Sequence, residues 1–296
     1  MSITGNDLIE ATLDFLTNAS REEVNRLSSS INSTATQFNV DFALGGIQIG
    51  ALLDIDLEVM RVLNVDGTSK SVTVARGQRG STAASHTGGT LIQVNPRYSR
   101  WSIWRALNDE IASLAGAGLF QMKTLDVTYN PSISGYDLTG VTSAEDIYTV
   151  RYKVPGSTKE WGTLERSDWS FDPLAPTSDF PSGFALFVHC GGYSGQPLRV
   201  AYKAPFTQLS SPSDVVETVT GIPVSMNDIL VLGSAIRLHV GREAGRGAYE
   251  TQAEPRRAEE VPVGSQVSAV TAWQRLRAAR IDEERRRLQR RYPIRR

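Results

Sequence analysis

The sequence predicts a mainly β chain with helical segments, an α+β protein. Three observations carry this. Apolar residues alternate with a period of two over 46–94 and again over 123–203. Amphipathic helical spacing occurs before, between and after those stretches. Gly, Pro, Ser and Asp crowd the junctions. The expected order is an N-terminal helical arm (1–45), a small β-module (46–100), a connecting helix (101–118) and a central antiparallel β-sandwich-like domain (119–208). A helical segment (209–245) and an extended linker with an Arg-rich C-terminal helix (246–296) complete it.

In chain order, residues 6–16 place Leu8, Ile9, Leu13 and Leu16 on one side of a short helix. Ser20 and Glu23 have the spacing of a capping box, which predicts a second helix with Val24, Leu27 and Ile31 on its apolar face. Both are too short to be stable without a partner surface. Residues 46–55, 58–65 and 70–75 read as strands, and Asp66-Gly67 is a hairpin signal between the last two. TLIQV (90–94) is a further strand, and Pro96 closes the module. Residues 101–115 then carry Trp104, Leu107, Ile111 and Leu114 at helical spacing, with Gly116 and Gly118 as terminators.

The central domain offers short strands at 124–129, 147–154, 161–164, 169–171, 183–188 and 198–202, a spacing that suits a sandwich or jelly roll. Trp161, Trp169, Phe171, Phe180, Phe184 and Phe187 are its expected core. Further on, Ile229, Leu230, Leu232, Ile236 and Leu238 form an apolar band ending near Glu243. Residues 244–264 lack periodicity and read as an extended connection. A helix is expected over 265–291, with Val267, Val270, Trp273, Leu276, Ile281 and Leu288 on a broad face and Pro293 as its stop.

At 296 residues there is room for two modest domains. The net charge of −1 conceals an asymmetry: from Thr271 onward ten arginines face three acids, Asp282, Glu283 and Glu284, so the remainder is acidic. Only five of the 31 basic residues are lysine. Arginine's planar fork suits interfaces. A single cysteine, Cys190, excludes an internal disulfide framework and points to assembly in a reducing cytoplasm. The start MSITGNDLIE has neither a basic segment nor an apolar core, so no secretory signal is expected. No apolar run approaches 18 residues, and no membrane span is expected.

The polar loop RGQRGSTAASHTGGT (76–90) is the first candidate for chemistry. A P-loop needs G-x-x-x-x-G-K-[ST] leading into a helix. Here the spacing is wrong, lysine is missing and a strand follows. The better reading is a rigid surface loop that offers Arg76, Arg79 and His86 to a neighbour. His86, His189 and His239 are isolated from one another and lack metal-ligand spacing. His189 and Cys190 are adjacent, so in a strand they face opposite ways and cannot act as base and nucleophile. Gly192-Tyr193-Ser194-Gly195 fails the nucleophile-elbow spacing, and Ser234 lies in a helical pattern. Asp54, Asp56 and Glu58 alternate on one expected strand face, which reads as a solvated face or a set of interface salt bridges in preference to a cation site. No catalytic, cofactor or metal residues are assigned.

The remaining candidate is the basic helix with Arg280, Arg285, Arg286, Arg287, Arg290 and Arg291. It could dock an acidic protein surface, lie near DNA through phosphate attraction, or be a solvated face. Interleaved aromatics for base stacking are missing.

Three segments together resemble a family of tailed-bacteriophage virion proteins. Glu58-Val-Met60-Arg-Val62, followed by the 76–90 loop, is similar to an E-x-M-x-V … R-G-x-x-G-T-x-A-x-x-H-x-x-G pattern of phage connector, tail and baseplate components, with Ser81 where threonine is commoner. The second segment is Pro96-Arg-Tyr-Ser-Arg100 and the helix bearing Asn108-Asp-Glu-Ile111. The third runs from Thr220-Gly-Ile-Pro223 through 228–243 to a closing Arg-Leu-x-x-x-Tyr-Pro element at 287–293. The resemblance spans most of the chain outside the central β-domain. It implies a structural subunit of the virion, assembled in the bacterial host cytoplasm. The implied role is a ring-forming neck or head–tail connector protein, with a tail-tip or baseplate component as the alternative. Implied partners are further copies in a ring and portal, adaptor or tail subunits, near packaged DNA and away from membranes. No catalytic residues carry over. An accessory carbohydrate-binding role is the other reading, on the strength of the aromatic-rich β-domain.

Overall fold

The computed structural model describes residues 2–17, 23–141, 143–250 and 265–293, leaving aside the side chains of 241–250 and 265–269. The protein is α+β and forms two compact units. One comprises Met1–Ile111, Gln208–Val219 and Pro223–Arg280; the other comprises Ala112–Thr207, Thr220–Ile222 and Ile281–Arg296.

The first unit holds a six-stranded antiparallel sheet. Its strands are β1 (Glu23–Arg26), β2 (Gln37–Asn39), β3 (Leu52–Ile55), β4 (Glu58–Asp66), β5 (Ser71–Ala75) and β6 (Leu91–Val94), in the order β1-β6-β3-β4-β5-β2. The sheet curls until its end strands meet. Leu27 bridges Val40, Ser28 N donates to Asn39 O at 3.0 Å, and Asp41 N donates to Arg26 O at 3.0 Å. Such curling satisfies the edge groups that an open sheet would leave exposed. Leu27, Phe38, Leu53, Ile55, Met60, Val62, Val72, Val74 and Ile92 fill the interior.

The helix predicted from Ser20 is corrected here. Ser20 lies outside the described residues, but Glu23–Arg26 is a strand paired with β6, and Leu27 and Ile31 point into the sheet's core. The Glu23 carboxylate accepts from Gly46 N at 2.6 Å, across the sheet unit and not along a helix turn. Distant pairing has overridden a local capping signal. The expected strand over 46–55 is confined to Leu52–Ile55. The β4–β5 hairpin forms as predicted, but positive φ falls on Lys70 (51°), while Asp66 Oδ1 accepts from Thr68 N.

Among the described residues, the helices of this unit are α1 (Gly5–Thr17), α2 (Arg100–Gly116, to Ile111), the one-turn α3 (Val216–Thr220, to Val219), α4 (Asn227–Glu250) and α5 (Ser265–Arg291, to Arg280). Leu8, Ile9 and Leu13 of α1 and Ile103, Leu107 and Ile111 of α2 are buried. Thr12 Oγ1 and Ser234 Oγ lie 3.3 Å apart where α1 meets α4. The start of the expected 244–264 connection is helical to Glu250, and 251–264 lie outside the described residues.

The second unit is a two-sheet sandwich. A four-stranded sheet has the order β10-β9-β13-β7, from β7 (Gln121–Thr128), β9 (Asp146–Lys153), β10 (Trp161–Thr163) and β13 (Pro197–Ala204). A three-stranded sheet has the order β11-β12-β8, from β8 (Gly135–Asp137), β11 (Trp169–Asp172) and β12 (Ala185–Val188). All pairings are antiparallel. β13 shows why: Leu198, Val200, Tyr202 and Ala204 alternate inward. Its core uses other aromatics than expected: of the six, only Trp169 is buried, and Tyr129, Tyr136 and Tyr202 join it. Trp169 is fully buried among Leu138, Val150, Leu186, Leu198 and Tyr136, with Phe171 and Phe184 packed at the margin.

Candidate functional site

The glycine-rich loop closes over a buried ion cluster in the curled-sheet unit. The turn between β3 and β4 has only two residues, and Asp56 takes φ 54° there. This turn places Asp54 and Glu58 on neighbouring strands, so the three acids do not share one solvated strand face. Asp54 is buried, and its Oδ2 accepts from Arg100 N at 2.7 Å, capping the start of α2. Asp56 is exposed.

Glu58 is 1% exposed and accepts five hydrogen bonds. Arg76 grips it with both arms of the fork: Nε to Oε1 and Nη2 to Oε2, each 2.7 Å. Gly77 N and Ala84 N donate at 3.0 Å each, and His86 Nε2 lies 3.0 Å from Oε2. Arg76 also donates to the carbonyls of Asn32, Ala35 and Ala84, at 3.0, 2.7 and 2.5 Å. His86 Nδ1 sits 2.7 Å from Asp56 Oδ2. Both ring nitrogens therefore face carboxylates, which only accept, so His86 is the doubly protonated cation.

Burial alone would raise the Glu58 pKa. The bonds from Arg76, His86, Ala84 and Gly77 outweigh it and hold the carboxyl at about 2. Burial would likewise lower the His86 pKa, but Asp56 and Glu58 raise it to about 9. Two anions and two cations thus cancel inside one small volume. Their placement depends on the loop's backbone. Gly77 adopts φ 60°, aiming its N–H at Glu58, and a Cβ there would sit 3.1 Å from Ser81 O. Ser81, 8% exposed, accepts from Val59 N at 3.0 Å and donates to Gln78 O at 2.8 Å.

Of the three loop residues expected to touch a neighbour, Arg76 and His86 turn inward, with side chains 7% and 2% exposed. They brace the loop from beneath. Arg79 is exposed at φ 55°, and its carbonyl accepts from Trp101 Nε1 at 3.2 Å.

A second buried carboxylate, Glu110 of α2, is 1% exposed. Arg237 Nε of α4 donates to it at 3.0 Å and Arg277 Nε of α5 at 2.6 Å, so one acid ties three helices. Gly233 makes room: a Cβ there would lie 2.1 Å from Glu110 Cδ. The C-terminal arginines divide similarly. Arg280 pairs with Asp228 at 2.6 Å and bonds Ser225 O. Arg285 donates to Ala117 O, at 3.2 and 2.6 Å, just beyond the end of α2. Arg286, Arg287, Arg290 and Arg291 are exposed, with Arg287 3.5 Å from Glu284. The predicted apolar face is also redistributed: Leu276 is 55% exposed, whereas Ile281 is buried.

Sequence reasoning missed Glu58 and Glu110 as anchors. Glu58 stood in the E-x-M-x-V segment, and Glu110 fell on the same helix face as Leu107 and Ile111, where a charge needs a partner. In the sandwich, neither tryptophan forms a bare stacking platform. Trp169 is buried with Arg166 3.9 Å from its ring centre, and Arg199 lies 4.4 Å from the ring centre of Trp161. His189 Nε2 lies 3.1 Å from Ser170 Oγ, and half-buried Cys190 has its thiol pKa pushed up by burial. No group of three or more His, Cys, Asp or Glu among the described residues could hold a metal ion. None of the described helices is long and apolar enough to cross a membrane. No protein-family model matches the sequence, and no curated protein does.

Proposed function

We propose that the chain is a structural subunit of a tailed-phage virion, a ring-forming neck or head–tail connector protein. The observation that carries this reading is the convergence of the resemblance motif. Glu58, Arg76, Gly77, Ser81 and His86 lie up to 28 residues apart, yet they lock one another at the base of a single loop. A motif whose charged members are all bonded inward serves shape, and a fixed loop shape is what a repeated subunit contact requires. The exposed Arg79 and the outward arginines of α5, Arg286, Arg287, Arg290 and Arg291, are the contacts to neighbouring copies or to portal, adaptor or tail subunits. Arg76, His86, Arg280 and Arg285 support those contacts from within.

The test is purification of virions, followed by mass spectrometry and particle imaging. The expected result is this chain in stoichiometric amounts, in a ring at the head–tail junction. Density at the tail tip would select the baseplate reading instead. Absence from purified particles would overturn both.

A further inference from the structure

The sandwich unit contains a cleft of about 780 Å³ beside β9 and the turn at Arg166–Asp168. Small-molecule sites span roughly 300–1,000 Å³. Two residues lining it carry polar atoms that a folded chain ordinarily pairs. Trp169 Nε1 and Thr149 Oγ1 are covered and have no hydrogen-bond partner among the described residues, and their residues are 3% and 5% exposed. Buried polar groups without partners destabilise the free chain, so each asks for an explanation. A ligand that brings its own hydrogen-bonding groups supplies one.

The remaining lining narrows the ligand's chemistry. Lys203 and Arg166 are balanced by Asp146 and Glu165, with Lys203 Nζ 3.2 Å from Asp146 Oδ2. A balanced cleft gives no net pull on an anion or a cation. Tyr148 and Tyr292 both line the cleft and meet edge to face, ring centres 5.6 Å apart, so they add aromatic surface to it. A lining that includes two tyrosines, whatever the placement of their hydroxyls, suits a neutral ligand with apolar C–H faces and many hydroxyls.

We propose that this cleft binds a neutral saccharide. Its C–H face would pack on Tyr148 and Tyr292. One hydroxyl would accept from Trp169 Nε1 and another would pair with Thr149 Oγ1. Because Arg166 covers the Trp169 ring, ligand entry displaces that exposed side chain. This inference is independent of the virion reading: particle placement can fail while sugar binding holds, and the reverse.

The experiment is saturation-transfer NMR on the full chain with glucose, galactose, N-acetylglucosamine, rhamnose and their disaccharides, using glucuronate and glucosamine as charged comparators. At least one neutral sugar is expected to bind saturably. Tyr148→Ala and Tyr292→Ala, checked for folding by thermal melting, should each weaken it by about tenfold. Thr149→Val separates ligand contact from structure. It removes an unpaired hydroxyl at nearly constant shape, so the free chain should melt no lower while sugar affinity falls. Failure of every neutral sugar to bind, preference for a charged comparator, or binding unchanged by all three substitutions would overturn the proposal.

Discussion

Replacing Glu58 by Gln tests whether the ion cluster holds the loop. The five donors around Glu58 divide into two at Oε1, Arg76 Nε and Gly77 N, and three at Oε2, Arg76 Nη2, Ala84 N and His86 Nε2. A glutamine offers one acceptor oxygen and one NH2. Whichever way the amide is turned, at least two buried donors face another donor. The size of the effect follows from the carboxyl's depressed pKa, from 4.5 to about 2, which is worth about 3 kcal/mol. Breaking one side of a buried pair costs roughly 3–5 kcal/mol, in agreement. The His86 shift is the same interaction seen from the other partner and is not added. The assays are thermal and urea unfolding, both followed by tryptophan fluorescence, to which Trp101, bonded to the Arg79 carbonyl, contributes. Glu58→Gln should lower the melting temperature by on the order of 10 °C. A double-mutant cycle with Arg76→Gln should give a coupling energy of about 2 kcal/mol. A loss below about 0.5 kcal/mol, the scale of an ordinary surface substitution, would refute the reasoning.

Stability should also depend on pH in a defined sense. The Glu58 contribution is full above 4.5 and lost as pH falls towards about 2; the His86 contribution is full below 6.5 and lost as pH rises through about 9, so urea midpoints should peak between about 4.5 and 6.5. Gly233→Ala should loosen the helices of the first unit, since its methyl would overlap Glu110 Cδ; faster hydrogen exchange in α2 and α4 is the readout, and unchanged exchange would contradict it. Arg286→Glu with Arg290→Glu should leave the melting curve within about 0.5 kcal/mol of the parent but reduce incorporation into particles, which quantitative mass spectrometry of virions would measure. Ending the chain at Gly264 should leave both β-folds intact by circular dichroism while removing Arg277 from Glu110 and impairing assembly; normal assembly by the truncated chain would count against the C-terminal helix as a contact.

The sandwich was legible because its strands are short, alternate in burial and are separated by turn residues. β13 reads as Leu198, Val200, Tyr202 and Ala204 inward, and period alone finds it. α5 was legible to the residue for a related reason, a long helical stretch ending at Pro293. Strands β1 and β2 were not. They span four and three residues, and β1 pairs with β6 across more than sixty positions, so no local pattern encodes it. Ser20 and Glu23 even supply a competing helix signal. The ion cluster was half legible. Arg76 and His86 stand out in the loop, but their direction does not, because alternation puts Glu58 on one strand face with Asp54 and Asp56, as a solvated face or a set of interface salt bridges, whereas a two-residue turn separates Glu58 from Asp54.

That inward turn sharpens how the arginines are read. An arginine-rich stretch invites one electrostatic interpretation, yet these side chains perform two different tasks. Arg76, Arg237, Arg277, Arg280 and Arg285 each bond a carboxylate or a carbonyl within their own unit, and their forks fix loop and helix positions. Arg79, Arg286, Arg290 and Arg291 are exposed and lie on, or next to, the elements so fixed. Neutralising the first group should change stability before it changes binding. Neutralising the second should change binding with little effect on stability. If the chain acts as a scaffold subunit, its contact specificity resides in the second group and its precision in the first. Deleting either would then give the same assembly defect through measurably different routes.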